Sequence, residues 1–105
     1  MASKDTLALY LPDASAGGPP DAFMDGHEFC HLHPQPETAV HAMLPKQVRA
    51  QAMSAGWAEP HPITHLGILP ESLVMLYAPR CKKELDIVFR FIQKSYEYAR
   101  GLRKG

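Results

Sequence analysis

All ten prolines of this chain fall in its first 79 residues, and none follows Pro79. Proline has no N–H to donate, and its ring clashes with a preceding helical turn. The segments that Pro12, Pro19, Pro20, Pro34, Pro36, Pro45, Pro60, Pro62, Pro70 and Pro79 delimit therefore suit strands, loops and one short helix. A long helix has room only after residue 79.

Each segment then reads from its own pattern. Residues 6–11 (TLALYL) make a short strand candidate, and 12–20 (PDASAGGPP) is turn chemistry throughout. Residues 27–33 (HEFCHLH) and 38–44 (TAVHAML) read as two strands joined through Pro34, Gln35 and Pro36. Pro45 suits a helix start. Val48, Ala52 and Ala55 repeat at helical spacing behind it, and Gly56 stands where a left-handed cap belongs. Residues 57–70, with three prolines, are expected to form an irregular loop. The nearly continuous apolar run 72–78 (SLVMLYA) suits a central strand.

Residues 82–100 give the clearest helix. Leu85, Val88, Phe89, Ile92, Tyr96 and Ala99 form its stripe, with Ile87, Phe91 and Tyr98 alongside. Gly101 stops it. The order strand, strand, strand, helix, strand, helix predicts an α+β fold. It would be one domain over 1–105, a mostly antiparallel sheet of about four strands with two helices packed on one face.

Composition narrows the function classes. With 46% apolar and 21% charged residues the chain suits a globular domain rather than a disordered one. Its formal net charge is +0, so no nucleic-acid partner is expected. Residues 1–79 carry three basic side chains against eight carboxylates (−5), and residues 80–105 carry eight against three (+5). The last helix is thus basic. That suits a solvated face, or a partner surface of acidic chemistry read through Arg90, Lys94, Arg100 and Arg103. No leader pattern or membrane-length apolar run is visible, which predicts a soluble cytoplasmic protein. Cys30 and Cys81 are expected as free thiols, Cys30 in the core.

Chemistry concentrates among the histidines. Side chains two apart on a strand share a face, so His27, Phe29, His31 and His33 should point one way and Glu28, Cys30 and Leu32 the other. A three-residue turn would set His33 opposite Glu37, His31 opposite Ala39 and Phe29 opposite His41. His31, His33 and His41 then share one face, with Glu37 beside them. Three imidazoles from two neighbouring strands can ligate a divalent metal ion. They can equally move protons, since imidazole titrates near neutrality. The plainer alternative is a wet sheet face whose histidines bond one another and water.

His61 and His65, in the proline-rich loop, are placed to fold over that face as a further ligand, acid or substrate contact. Trp57 and Met43 are candidate walls of a small-molecule pocket, though a core role suits Trp57 as well. Glu59 is a candidate for orienting a histidine. No Ser-His-Asp order, CxxC pair or HExxH helix occurs, which excludes the commonest hydrolase and zinc-finger patterns.

The runs AGGPPDAFMDGHEFCHLHP, AVHAMLPKQV, GWAEPHP, GILPESLVMLYAPR and SYEYARG, in that order from about Leu7 to Gly101, resemble the luciferase-like domain family. This family comprises small bacterial and fungal proteins related to a region of fungal luciferases. The resemblance implies a small-molecule pocket in which the HxH segment belongs to a shared pattern. The fungal enzymes oxidise a hydroxylated pyrone with molecular oxygen and have longer chains. No catalytic residue set carries over position by position.

Two functions of different class follow. One is a small-molecule enzyme of luciferase-like type, an oxidoreductase acting on an aromatic or polyketide-like substrate. In it His31, His33 and His41 are metal ligands or proton carriers, and Trp57, Met43 and His61 contact substrate. The other is a non-catalytic ligand-binding or protein-interaction module using the same face. A homodimer paired through a free sheet edge is compatible with either.

Overall fold

The proline-bounded segments become strands, and one more strand forms than the pattern suggested. In the computed structural model, which describes residues 6–33, 39–67 and 69–102 without the side chains at 63 and 65, five strands make one antiparallel sheet. They are β1 (Leu7–Tyr10), β2 (Glu28–Leu32), β3 (Val40–Met43), β4 (Ala58–Pro60) and β5 (Leu73–Leu76), in the order β1-β2-β3-β5-β4. Two helices complete the fold, α1 (Lys46–Ser54) and α2 (Lys82–Arg100).

The additional strand is β4, inside the segment expected to be irregular throughout. It is three residues long and lies on an edge of the sheet. There Pro60 can end the ladder without wasting a donor. A short 3-10 turn, Pro62–Leu66, follows it.

The registers line up across the sheet in rows. Leu32, Val40, Leu76 and Ala58 form one row, and Cys30, Ala42, Val74 and Pro60 another. Both rows face the helices. Cys30, Val40, Ala42, Val74 and Leu76 join Val48 and Ala52 of α1 and Val88, Tyr98 and Ala99 of α2 in one buried cluster. Helix α2 lies against β2 and β3, while α1 touches β4 and α2. Between the two rows runs a third, His31, His41, Met75 and Glu59, which by alternation faces away from the helices.

Helix α2 begins and ends where the pattern placed it. Gly101 closes it at φ 82°, a left-handed conformation that glycine adopts freely. Its buried side differs from the expected stripe. Val88, Ser95, Tyr98 and Ala99 are buried, whereas Leu85 is 53% and Phe89 64% exposed. The cause is close approach. Small side chains at 95 and 99 let the helix backbone settle near its neighbours, and the bulky residues are displaced to its flank. Gly18 shows how close. Its N–H donates to the Ala99 carbonyl at 2.9 Å, and a Cβ there would collide with the carbonyl oxygens of Tyr98 and Ala99. Among the described residues no helix is long and apolar enough to cross a membrane.

Candidate functional site

Uninterrupted alternation along β2 would send Glu28 and Cys30 to the helix side and Phe29 to the histidine side. The pairing with β1 breaks that rule. Leu9 faces Cys30, but the next residue, Tyr10, faces Glu28. Phe29 is left without an opposite number, which is a β-bulge. The two side chains exchange sides. Phe29 enters the core, its ring meeting Tyr96 edge-on at 6.0 Å. Glu28 turns to the histidines, with its Oε2 2.8 Å from His31 Nδ1.

Several contacts hold the bulge. The buried Ser95 hydroxyl donates to the Phe29 carbonyl at 3.0 Å. The Glu28 N–H donates to the Asp25 carbonyl at 2.9 Å, and its carbonyl accepts from Met24 at 2.8 Å. Gly26, at φ 56°, permits the tight turn between them.

The β2–β3 register sets His31 directly opposite His41. This differs by two residues from the expected pairing of His31 with Ala39. A two-residue shift preserves the face, so the three histidines still converge. His31 Nε2 lies 2.9 Å and His33 Nε2 3.3 Å from His41 Nδ1. One ring nitrogen from each of the three falls within 4.8 Å of the others. The His61 ring stands perpendicular to that of His41, 4.7 Å between centroids, and the Thr6 hydroxyl is 3.5 Å from His33 Nδ1.

One assignment of protons satisfies this network with Glu28 as acceptor. Ionised carboxylate only accepts, so His31 Nδ1–H donates to Glu28. The Nε2 lone pair of His31 then points at His41, whose Nδ1–H donates into it. His41 Nε2 is left buried, with no hydrogen-bond partner among the described residues. Burial, then the His31, His33 and His61 rings, push the His41 imidazole down to about 3 from the ordinary 6.5. It is therefore neutral near pH 7, with a lone pair to give. Cys30 is no nucleophile. Burial, then the Glu28 charge, push its thiol up to about 12.

The three ring nitrogens, all within 4.8 Å of one another, are a set that could hold a small divalent ion. Ligand nitrogens about 2.0–2.1 Å from a tetrahedral metal stand roughly 3.3 Å apart, close to the spacings at His41 Nδ1. The covering of this face departs from expectation. With the helices expected on one face only, the histidine side would lie open to solvent, yet His41 is 5% and Glu28 6% exposed, and Met43 and Leu73 are buried beside them.

The other candidates are dispersed. Met43 follows His41 on the same strand face but has no exposed surface. Trp57 lines a cavity of about 300 Å³ with Tyr77, Pro79, Arg80, Glu84 and Val88, and among the described residues no histidine lines it. Glu59 is exposed and lies beyond Met75 in the His41 row. His27 pairs with Asp13 at 2.9 Å instead of joining the cluster. Glu37 and the His65 side chain lie outside the described residues.

Glu28 is the residue that sequence reasoning missed. A signal was present in the Glu28–Phe29 pair. Unbroken alternation would have buried a carboxylate under the helices and set a phenyl ring among imidazoles, a conflict that a bulge resolves.

Residues 26–95 match the family model described as Luciferase domain. Curated luciferases of Armillaria gallica and Armillaria mellea are each 32% identical to this chain over 73 residues, and that of Armillaria ostoyae is 30% identical over the same length. Those residues are 68% of this chain but 27% of each relative, so the chain corresponds to a minor part of the fungal proteins. No solved structure matches it.

Proposed function

The chain belongs to the luciferase-domain family, and from that premise we propose that it is a small-molecule enzyme whose imidazole cluster holds a divalent metal ion. The reaction we infer is an oxidative transformation of an aromatic or polyketide-like substrate. The similarity to the Armillaria luciferases supports the reaction class. The convergence of one ring nitrogen from each of His31, His33 and His41 carries the metal. In this reading His31 Nε2, His33 Nε2 and His41 Nδ1 are the ligand atoms, with the His41 proton moving from Nδ1 to Nε2 on binding.

When bound, such an ion supplies Lewis-acid or redox chemistry to an oxygen-containing substrate. The protein supplies the rest. It keeps His41 neutral, shields the ion from bulk water through burial of His41, and sets the His61 ring against that of His41 at 4.7 Å between centroids. Met43 has no exposed surface and Trp57 lines a separate cavity. His61 is therefore the substrate contact we retain.

The test loads metal-free protein with Co²⁺, Fe²⁺ or Zn²⁺, measures bound metal, and follows oxygen uptake with phenolic and pyrone substrates. One metal per chain is expected in the wild type. Little should bind to the His31→Ala/His33→Ala double variant, although its circular dichroism is unchanged. Stoichiometric binding that survives the double substitution would remove the cluster from the mechanism. Metal binding without oxygen uptake on any such substrate would count against the oxidative reading.

A further inference from the structure

We propose that Glu28 is the outer carboxylate of this centre, a positioning residue that locks His31 as its Nδ1–H tautomer and so aims Nε2 at the metal position. The proposal rests on the metal reading above, and it assigns a residue outside the imidazole set. Glu28 is 6% exposed, and among the described residues no lysine or arginine pairs with it. A carboxylate is rarely buried without a charged or hydrogen-bonding partner. Here the partner is His31 Nδ1, at 2.8 Å. Because a carboxylate can only accept, this bond dictates which His31 nitrogen carries the proton and which keeps its lone pair.

The freed Nε2 is the atom directed at His41 Nδ1, where His33 Nε2 also arrives. Carboxylates that hold the remote nitrogen of a metal-ligating imidazole fix its ring and strengthen its basicity.

The backbone supports the assignment independently. A regular β2 would place Glu28 under the helices. The bulge at Phe29 moves it to the imidazole side, and contacts from a different element, the Ser95 hydroxyl on the Phe29 carbonyl and the Tyr96 ring on that of Phe29, hold the bulge in place. Removing a carboxylate satisfied merely as a structural group would leave metal affinity unchanged in the folded protein.

Two measurements on the full chain test it. Long-range ¹H–¹⁵N correlation spectra of the metal-free protein should show wild-type His31 protonated at Nδ1, and the Glu28→Ala variant shifted toward Nε2 protonation. Wild-type His31 protonated at Nε2 would overturn the proposal without involving any metal.

Co²⁺ affinity, read by competition with a chelating dye, should fall about 10- to 100-fold in Glu28→Ala. The near-isosteric Glu28→Gln keeps an acceptor for Nδ1–H without the charge. It should retain the wild-type tautomer and recover part of the affinity, which also guards against a fold lost in the alanine variant. Equal Co²⁺ affinity in the wild type and both variants would overturn the role of Glu28 while leaving the metal centre standing. Wild-type protein that binds no Co²⁺ would instead overturn the centre, and with it this role.

Discussion

Replacing Phe29 with alanine should be among the most damaging single changes available to this fold. Its side chain is 5% exposed and joins the core cluster. Burying a phenyl ring contributes about 1.5–3 kcal/mol by transfer, and its edge-on contact with Tyr96 adds about 0.5–1.5 kcal/mol. The bulge around it is tied to α2, so little collapse can fill the space, and the loss should reach about 3–5 kcal/mol. Against a typical total of about 5–15 kcal/mol, that is enough to bring the domain near unfolding. Phe89→Ala is the matched control. It deletes the same atoms from a position 64% exposed, so the change should stay within about 0.5 kcal/mol. Trp57, the sole tryptophan and half-buried beside Tyr77, reports urea unfolding of both variants by fluorescence. A loss under about 1 kcal/mol for Phe29→Ala, with a larger loss for Phe89→Ala, would show that the buried side of α2 is misidentified and the bulge with it.

Other perturbations probe separate links. Ser95→Ala leaves the Phe29 carbonyl without its buried donor, and calorimetry should record a loss of about 1–3 kcal/mol; no loss would mean that α2 does not hold the bulge. Gly18→Ala forces a methyl against the carbonyls of Tyr98 and Ala99 and should cost about 1–3 kcal/mol in the same assay, whereas a neutral or stabilising result would contradict the close approach. Metal-free protein should weaken on acidification. His41 sits at about 3 in the fold against 6.5 ordinarily, so between those values the unfolded chain binds the extra proton. Stability is then full above about pH 6.5 and falls below it, by about 1 kcal/mol from pH ~7.5 to ~5.5. Urea midpoints that stay level across that range would refute the neutral, buried state of His41.

The parts of the fold legible in advance were those governed by local chemistry. Helix α2 occupies the one long stretch without proline and stops at a glycine in the left-handed region. Its buried side was misjudged because apolar size was weighed above closeness of approach, which favours Ser95 and Ala99 over Leu85 and Phe89. Strand β4 escaped notice because three residues between prolines show no period. The histidine cluster was legible because face depends only on odd or even spacing. The actual pairing of His31 with His41 was not, since it depends on the length of a connection that no local rule sets. Glu28 was hidden for a related reason. A bulge is an interruption of periodicity, and periodic reasoning carries straight past it.

That interruption has an evolutionary consequence. Because Phe29 has no opposite residue on β1, the segment before it and the segment after it are no longer bound to one alternation. A lineage can exchange the residue at 28, or lose one residue from the bulge by a single-codon deletion, without changing how His31 and His41 face each other across β2 and β3. The three imidazoles and the carboxylate bonded to His31 are therefore separately heritable. A change at position 28 can alter the group behind His31 while the sheet that carries the histidines stays the same.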